Sequence, residues 1–215
     1  MNAVFFDLDG TLLDSRADLA RAVNVTRQQL GLAELPQAHV LTFVGRGARA
    51  LLEGAIPERA GHFDELWPQY RENYQAHMLD ESTLYPGVTD TLAELAARGW
   101  RMGLNTNKPN FATHAILAHF GLQPYFGEAV IAGGDCAEMK PSPRPLEACA
   151  ARLGGHRLSA RDWMVGDHWT DLACGAAAGI QTAFCAYGFG QLNATPYTAR
   201  LARFDDLLDL LGAPD

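Results

Sequence analysis

Two aspartates stand two residues apart in Asp7-Leu8-Asp9-Gly10-Thr11, directly after the apolar run Val4-Phe5-Phe6. A carboxylate fixed at the end of a buried element can attack phosphorus, and a second acid nearby can protonate the leaving oxygen. Beside a phosphate dianion two carboxylates repel it unless a cation intervenes. A third acid, Asp167 in Gly166-Asp167, supplies an oxygen ligand for magnesium, an ion held by few carboxylates, several waters and substrate phosphate. Lys140, in Met139-Lys140-Pro141-Ser142-Pro143, would neutralise remaining charge. The Thr106 hydroxyl and neighbouring backbone N–H groups would hold the phosphoryl oxygens, and Gly10, Thr11 and Asn107 complete the candidate cradle.

Each of these pieces alone also reads as a helix cap or a plain turn. Their value depends on the elements that carry them. Val4-Phe5-Phe6 has the pattern of a strand buried on both faces. Further strands are expected over 100–104, ending at Asn105-Thr106-Asn107, and over 129–132, 163–165 and 182–186, the last clear one. Helices are expected over 88–98, 111–120, 145–153, 171–178 and 204–211. Strands alternating with helices imply a parallel sheet covered on both faces, an α/β architecture of the Rossmann-like, doubly wound kind. Ligands of such sheets sit outside the carboxyl ends of the strands. Asp7 and Asp9, Thr106 and Asn107, and Asp167 all fall at such ends, and Lys140 lies in the loop after 129–132. That joint placement argues for a phosphate-handling site.

Residues 15–82 show no convincing strand. A helix is expected from Ser15, a plausible N-cap, to Leu30 before Gly31; another follows Pro36, and a third covers 46–55. A fourth carries Phe63, Trp67, Tyr70 and Tyr74 at the spacing of an apolar face, which reads as core. This helical block would be an insertion after the first strand.

Composition narrows the partners. The 215 residues are 48% hydrophobic and 20% charged, an ordinary globular balance. A net charge of -8 leaves no basic field for nucleic acid. No apolar run approaches transmembrane length, and MNAVFFDLDG reaches its first acid without a basic-then-apolar leader. Cys136, Cys149, Cys174 and Cys185 are widely spaced, without the pattern of a zinc site or a disulfide framework, so a reducing cytoplasm is expected. Among 17 Lys+Arg, lysine occurs only at Lys108 and Lys140. In so arginine-biased a chain, a surviving lysine suggests a place where a compact ammonium is needed.

In order along the chain, Asp7-Leu8-Asp9-Gly10-Thr11, Thr106-Asn107-Lys108, Lys140-Pro141 and Gly166-Asp167 through Asp171 resemble the four motifs of the haloacid dehalogenase superfamily. The resemblance is strongest to its phosphoglycolate phosphatase group, through Phe43-Val44-Gly45-Arg46-Gly47-Ala48-Arg49 and Tyr187-Gly188-Phe189-Gly190. It implies a core of residues 1–14 and 83–215 with a helical cap domain over 15–82. Asp7 would be nucleophile and magnesium ligand. Asp9 would be general acid, then general base, with its backbone carbonyl on the metal. Thr106 and Lys140 would bind the phosphoryl group, and Asp167 would complete the metal site. Asp171 would stand behind it, ordering bound water or Lys140. Gly45, Arg46 and Gly47 are candidates for contact with substrate. His168, Trp169 and Lys108 receive no fixed role, although His168 suits a helix start. The expected activity is magnesium-dependent hydrolysis of a small phosphorylated metabolite through an aspartyl-phosphate, with no nucleic acid, membrane or protein partner. A phosphosugar mutase built on the same core, or a non-catalytic phospho-acceptor module, are the alternatives.

Overall fold

The computed structural model describes residues 2–212. Its centre is β1, Ala3–Phe6, whose four residues are all fully buried. Alternation along it serves two cores: Val4 and Phe6 enter the hydrophobic cluster on one face of the sheet, and Ala3 and Phe5 the cluster on the other. After β1 come a two-residue strand β2 (Leu13–Asp14) and four helices, α1 (Arg16–Gln29), α2 (Gln37–Leu41), α3 (Gly47–Ala55) and α4 (Phe63–His77). The chain returns through β3 (Thr83–Leu84), which pairs antiparallel with β2.

From there helix and strand alternate: α5 (Val88–Ala97), β4 (Arg101–Pro109), α6 (Asn110–His119), α7 (Gln123–Phe126), β5 (Val130–Gly133), α8 (Arg144–Arg152), β6 (Trp163–Gly166), α9 (Trp169–Ala177), β7 (Gln181–Cys185), β8 (Ala199–Leu201) and α10 (Leu207–Leu211). The sheet order is β5-β4-β1-β6-β7-β8, every neighbouring pair parallel. The chain steps outward from β1 in one direction and then in the other. The carboxyl end of β1 is therefore where the order reverses, the place at which such sheets open a crevice. Residues of α5, α6 and α10 cover one face and those of α8 and α9 the other.

The helices of 16–77 pack around their own cluster, with Leu19, Val23, Leu52, Tyr70 and Tyr74 among its buried members. Two connections join this block to the sheet. Beside them Asp18, fully buried on α1, accepts hydrogen bonds from the backbone N–H of Glu81 (3.0 Å) and from the N–H (2.8 Å) and hydroxyl (2.7 Å) of Ser82. The end of the block is thereby pinned to its beginning.

Several elements differ from the sequence-based expectation. The strand expected to stop at residue 104 runs on to Pro109, with its register against β5 shifting between Asn105 and Pro109. β2, β3, α7 and β8 are too short to leave a periodic signal, and the sequence predicts none of them. Helix α9 begins at Trp169 rather than 171. Ser15 does stand at the start of α1, but its hydroxyl makes no cap; it donates to Asp9 Oδ1 at 2.6 Å. Among the described residues no helix is long and apolar enough to cross a membrane, and all four cysteines are unpaired.

Candidate active site

Asp7 follows β1 directly, and its N–H donates to Val165 O of β6 at 3.0 Å. Its carboxylate is fixed by two adjacent strands. One turn of chain later Gly10, at φ +79°, lets the backbone reverse, and it leaves space as well: a Cβ there would stand 1.8 Å from Asp167 Oδ2. Asp167 comes from the loop after β6. Its Oδ2 accepts the N–H groups of Phe189 (3.0 Å) and Gly190 (2.7 Å), so the segment after β7 orients it.

Asp7, Asp167 and Asp171 are all buried, and their carboxylate oxygens lie within 4.8 Å of one another. Among them stands Lys140. Its Nζ is 2.8 Å from Asp7 Oδ1 and 2.6 Å from Asp171 Oδ1, and it donates to Asn105 O at 2.6 Å. Asp7 Oδ1 and Asp171 Oδ1 have this ammonium as their protein partner. Burial works to strip Lys140 of its proton, but Asp171 and Asp7 outweigh it and keep the ammonium above its ordinary range. Burial pushes the Asp167 carboxyl well above its usual value, with Asp171 and Asp7 adding repulsion. Burial likewise raises Asp171 to about 7 against the pull of Lys140.

With all three acids ionised, the one ammonium leaves two uncompensated charges in a buried cluster, the charge of one divalent cation. Oxygen donors alone suit a hard ion such as magnesium. The cluster therefore fits a metal held by Asp7 and Asp167, with Asp171 committed to Lys140.

Asp9 takes no part in that cluster through its side chain. Both its oxygens accept from Lys108 Nζ, at 2.7 and 2.9 Å, besides the Ser15 bond. Both lysines of the chain are thus buried, each paired with an aspartate of the first motif. Sparse lysine usage points to both.

Asp7, Asp9, Thr106, Asn107, Lys108, Asp167, His168 and Gly190 line one cavity at the carboxyl edge of the sheet. Facing them from the helical block and β7 loop are Leu19, Val44, Leu51, Tyr70, Tyr74 and Phe189. About 50 Å³ is open to the centre of a water-sized sphere, room for roughly three or four waters at about 10–15 Å³ each.

Not every expected residue reaches this wall. Gly10 and Thr11 are off it: the Gly10 N–H donates to Leu13 O and the Thr11 N–H to Leu8 O. Asn107 lines the cavity, but its amide is spent. Its Nδ2 donates to Gly45 O and Lys140 O, and its Oδ1 accepts the Lys140 N–H, all at 3.0 Å. Its side chain fixes two loops. Gly45 and Gly47 are on the wall, and a Cβ on Gly45 would strike the His168 ring at 2.7 Å. Arg46 between them is exposed and off the wall. Lys140 stands behind Asp7, not on the wall.

His168 is the N-cap of α9: its side chain accepts from the Thr170 N–H, and Asp171 accepts the His168 N–H in return at 2.9 Å. Burial pushes its imidazole down to about 4, so it is neutral. Trp169 lies off the cavity wall, its ring tilted against His168. Sequence reasoning misses Ser15, Phe189 and Gly190 as supports of acids, and reads Tyr70 and Tyr74 as core alone. The two tyrosines are buried and on the cavity wall at once, a double role that helical spacing does not reveal.

A family model described as haloacid dehalogenase-like hydrolase matches residues 4–185. The phosphoglycolate phosphatase of Yersinia pestis is 39% identical over 224 aligned residues, spanning 100% of this chain and 94% of that protein. The phosphoglycolate phosphatase of Aquifex aeolicus is 33% identical, across 98% of this chain and 97% of its own length. Among solved structures, a predicted phosphoglycolate phosphatase from Haemophilus somnus superposes with a TM-score of 0.89 at 27% identity, covering 98% of this chain and 97% of that one.

Proposed function

Because the chain belongs to the haloacid dehalogenase-like hydrolase family, we propose that it is a magnesium-dependent phosphatase of small phosphomonoesters, acting through an aspartyl-phosphate on Asp7. Phosphoglycolate is the first candidate substrate, after the named activity of its full-length relatives. One observation carries the reading: Asp7 is buried at the switch point of the sheet, with the Lys140 ammonium 2.8 Å from its Oδ1 and with Asp167 and Asp171 close enough to share a cation with it.

In the first step an Asp7 oxygen bonds to phosphorus as the ester P–O bond breaks, and Asp9 gives its proton to the leaving alcohol. In the second, Asp9 takes a proton from water, which attacks phosphorus and releases inorganic phosphate and free Asp7. Lys140, behind Asp7 and Asp171, and the Thr106 hydroxyl on the wall stabilise the phosphoryl oxygens. Magnesium at Asp7 and Asp167, with the Asp9 carbonyl, supplies polarisation of those oxygens and charge compensation when bound. Residues 15–82 serve as a cap domain over a core of 1–14 and 83–215. Unpaired cysteines support a reducing compartment, the cytoplasm.

Phosphate release from p-nitrophenyl phosphate and 2-phosphoglycolate tests the proposal. Turnover should require magnesium and stop on chelation. Asp7→Asn should lower it by at least about 10⁴-fold with an unchanged melting curve. Comparable turnover in that variant refutes the mechanism, and isomer formation from a hexose 1-phosphate without phosphate release would make the protein a mutase.

A further inference from the structure

The two steps above leave one buried charge unused. Lys108, at the end of β4, is one of the chain's two lysines, and its side chain is 1% exposed. Burying an ammonium is costly unless a partner offsets the lost water. That partner is Asp9: Lys108 Nζ donates to Oδ1 at 2.7 Å and to Oδ2 at 2.9 Å. The Tyr74 ring lies close as well, its centroid 4.9 Å from Nζ. The backbone that carries the lysine is itself anchored. Its N–H donates to Thr106 Oγ1 at 3.2 Å, and its carbonyl accepts the Thr113 hydroxyl at 3.3 Å.

This arrangement fixes what is otherwise soft. The terminal torsion of an aspartate is broad, so a carboxyl without fixed partners turns about its last bond. One nitrogen gripping both oxygens stops that turn, and Ser15 Oγ adds a third bond, to Oδ1 at 2.6 Å. Such control matters for proton transfer. The donor must lie within hydrogen-bond reach of the leaving oxygen, and a misplacement of about 1 Å costs on the order of 10²-fold. Exposure sets the order of the pair: the Asp9 side chain is 13% exposed and that of Lys108 1%, so the carboxyl is the member open to the cavity. A substrate meets Asp9, and Lys108 acts on it through Asp9.

Resting on the phosphatase reading above, we propose that Lys108 is a positioning residue: it holds the Asp9 carboxyl at the angle from which Asp9 hands its proton to the leaving oxygen. One Asp9 oxygen carries the proton to be transferred while the ammonium keeps the other. Once the proton has moved to the leaving oxygen, the ammonium grips both oxygens of the carboxylate left behind, as in the structure. Loss of Lys108 is then felt in the first step only where the leaving oxygen needs a proton.

Values of kcat/KM in magnesium, which report the first step, test this with p-nitrophenyl phosphate, phenyl phosphate and 2-phosphoglycolate. Nitrophenolate leaves readily without a proton; phenolate and the glycolate alkoxide do not. Lys108→Met should lower kcat/KM by about 10²-fold for phenyl phosphate and 2-phosphoglycolate, and by less than about threefold for p-nitrophenyl phosphate. The ratio between esters does not depend on how much of the variant is folded. Adding Lys108→Met to Asp9→Asn removes both charges together, and should cost less than about threefold beyond Asp9→Asn alone for every ester. Equal loss for all three esters overturns the proposal, as does no loss for any. A loss confined to 2-phosphoglycolate also overturns it, and would assign the ammonium to the carboxylate of that ester. So does an undiminished loss in the Asp9→Asn background, a comparison that stands even where the single variant fails to fold. Absence of phosphate release by the unmutated protein sinks the hydrolase reading and this role with it; the other failures sink this role alone.

Discussion

The cavity has two walls of opposite character. The sheet-edge wall is a network of carboxylates and ammoniums, carried on strand ends, the loops that follow them and the first turn of α9, with nearly every oxygen held by a named donor. The helical wall is apolar, built from α1, α3, α4 and the loop before α3, with almost no polar atoms to offer. A few hydrogen bonds tie the two: Asn107 to Gly45 O, Thr170 to Gly45 O and Gln191 to Thr42 O. Such a division separates tasks. Charge that must be placed within fractions of an ångström sits on the rigid sheet, and shape sits on a block joined to it by two short connections.

Changes to the charged wall should be the most severe. Lys140 has three oxygens within 2.8 Å of one nitrogen, a geometry that a planar guanidinium cannot copy. Lys140→Arg should lower kcat by on the order of 10²-fold and cost about 1–3 kcal/mol of stability from overpacking, read by denaturant unfolding. Near-normal kcat in that variant would mean the ammonium merely fills space.

Acidity of the same wall should appear in its pH dependence. Asp171 is raised to about 7 and Asp167 well above its usual value, so the folded protein binds these protons more tightly than the unfolded chain. Their contribution to stability is present below the unfolded carboxylate pKa and is lost as pH rises through the folded one. Lys140, also raised, stays charged throughout this window. Metal-free protein should therefore melt lower at pH 8 than at pH 5 through this cluster. Magnesium should restore about 3 °C or more at pH 8 and much less at pH 5. An equal magnesium shift at both pH values would place the ion elsewhere.

Smallest should be the effect of trimming the apolar wall. Val44→Ala removes only methyl groups facing the cavity. It should raise KM for a short phosphoester by about two- to fivefold and leave kcat nearly unchanged. A collapse of kcat instead would show that the helical wall positions the reacting groups, and the division of labour would fail.

Strand ends were legible because a buried apolar run carries the acid that follows it to the edge of the sheet, as Val4-Phe5-Phe6 carries Asp7. The two lysines were legible through scarcity. Asn107 was legible as a member of the site, but not the tie its side chain makes, since an amide in sequence does not reveal that it meets Gly45 O. β8 and the β2–β3 pair were invisible, because two or three residues set no period.

The order of the longer strands and helices and the placement of acids directly after the strands were determined by sequence alone, because each is a matter of residue type at a fixed distance from an apolar run. Tertiary structure alone decided that Asp171 joins Asp7 and Asp167 and that Lys108 takes Asp9. Those facts depend on where segments scores of residues apart meet. Burial and pairing in that shared space, not local spacing, set which charge faces which.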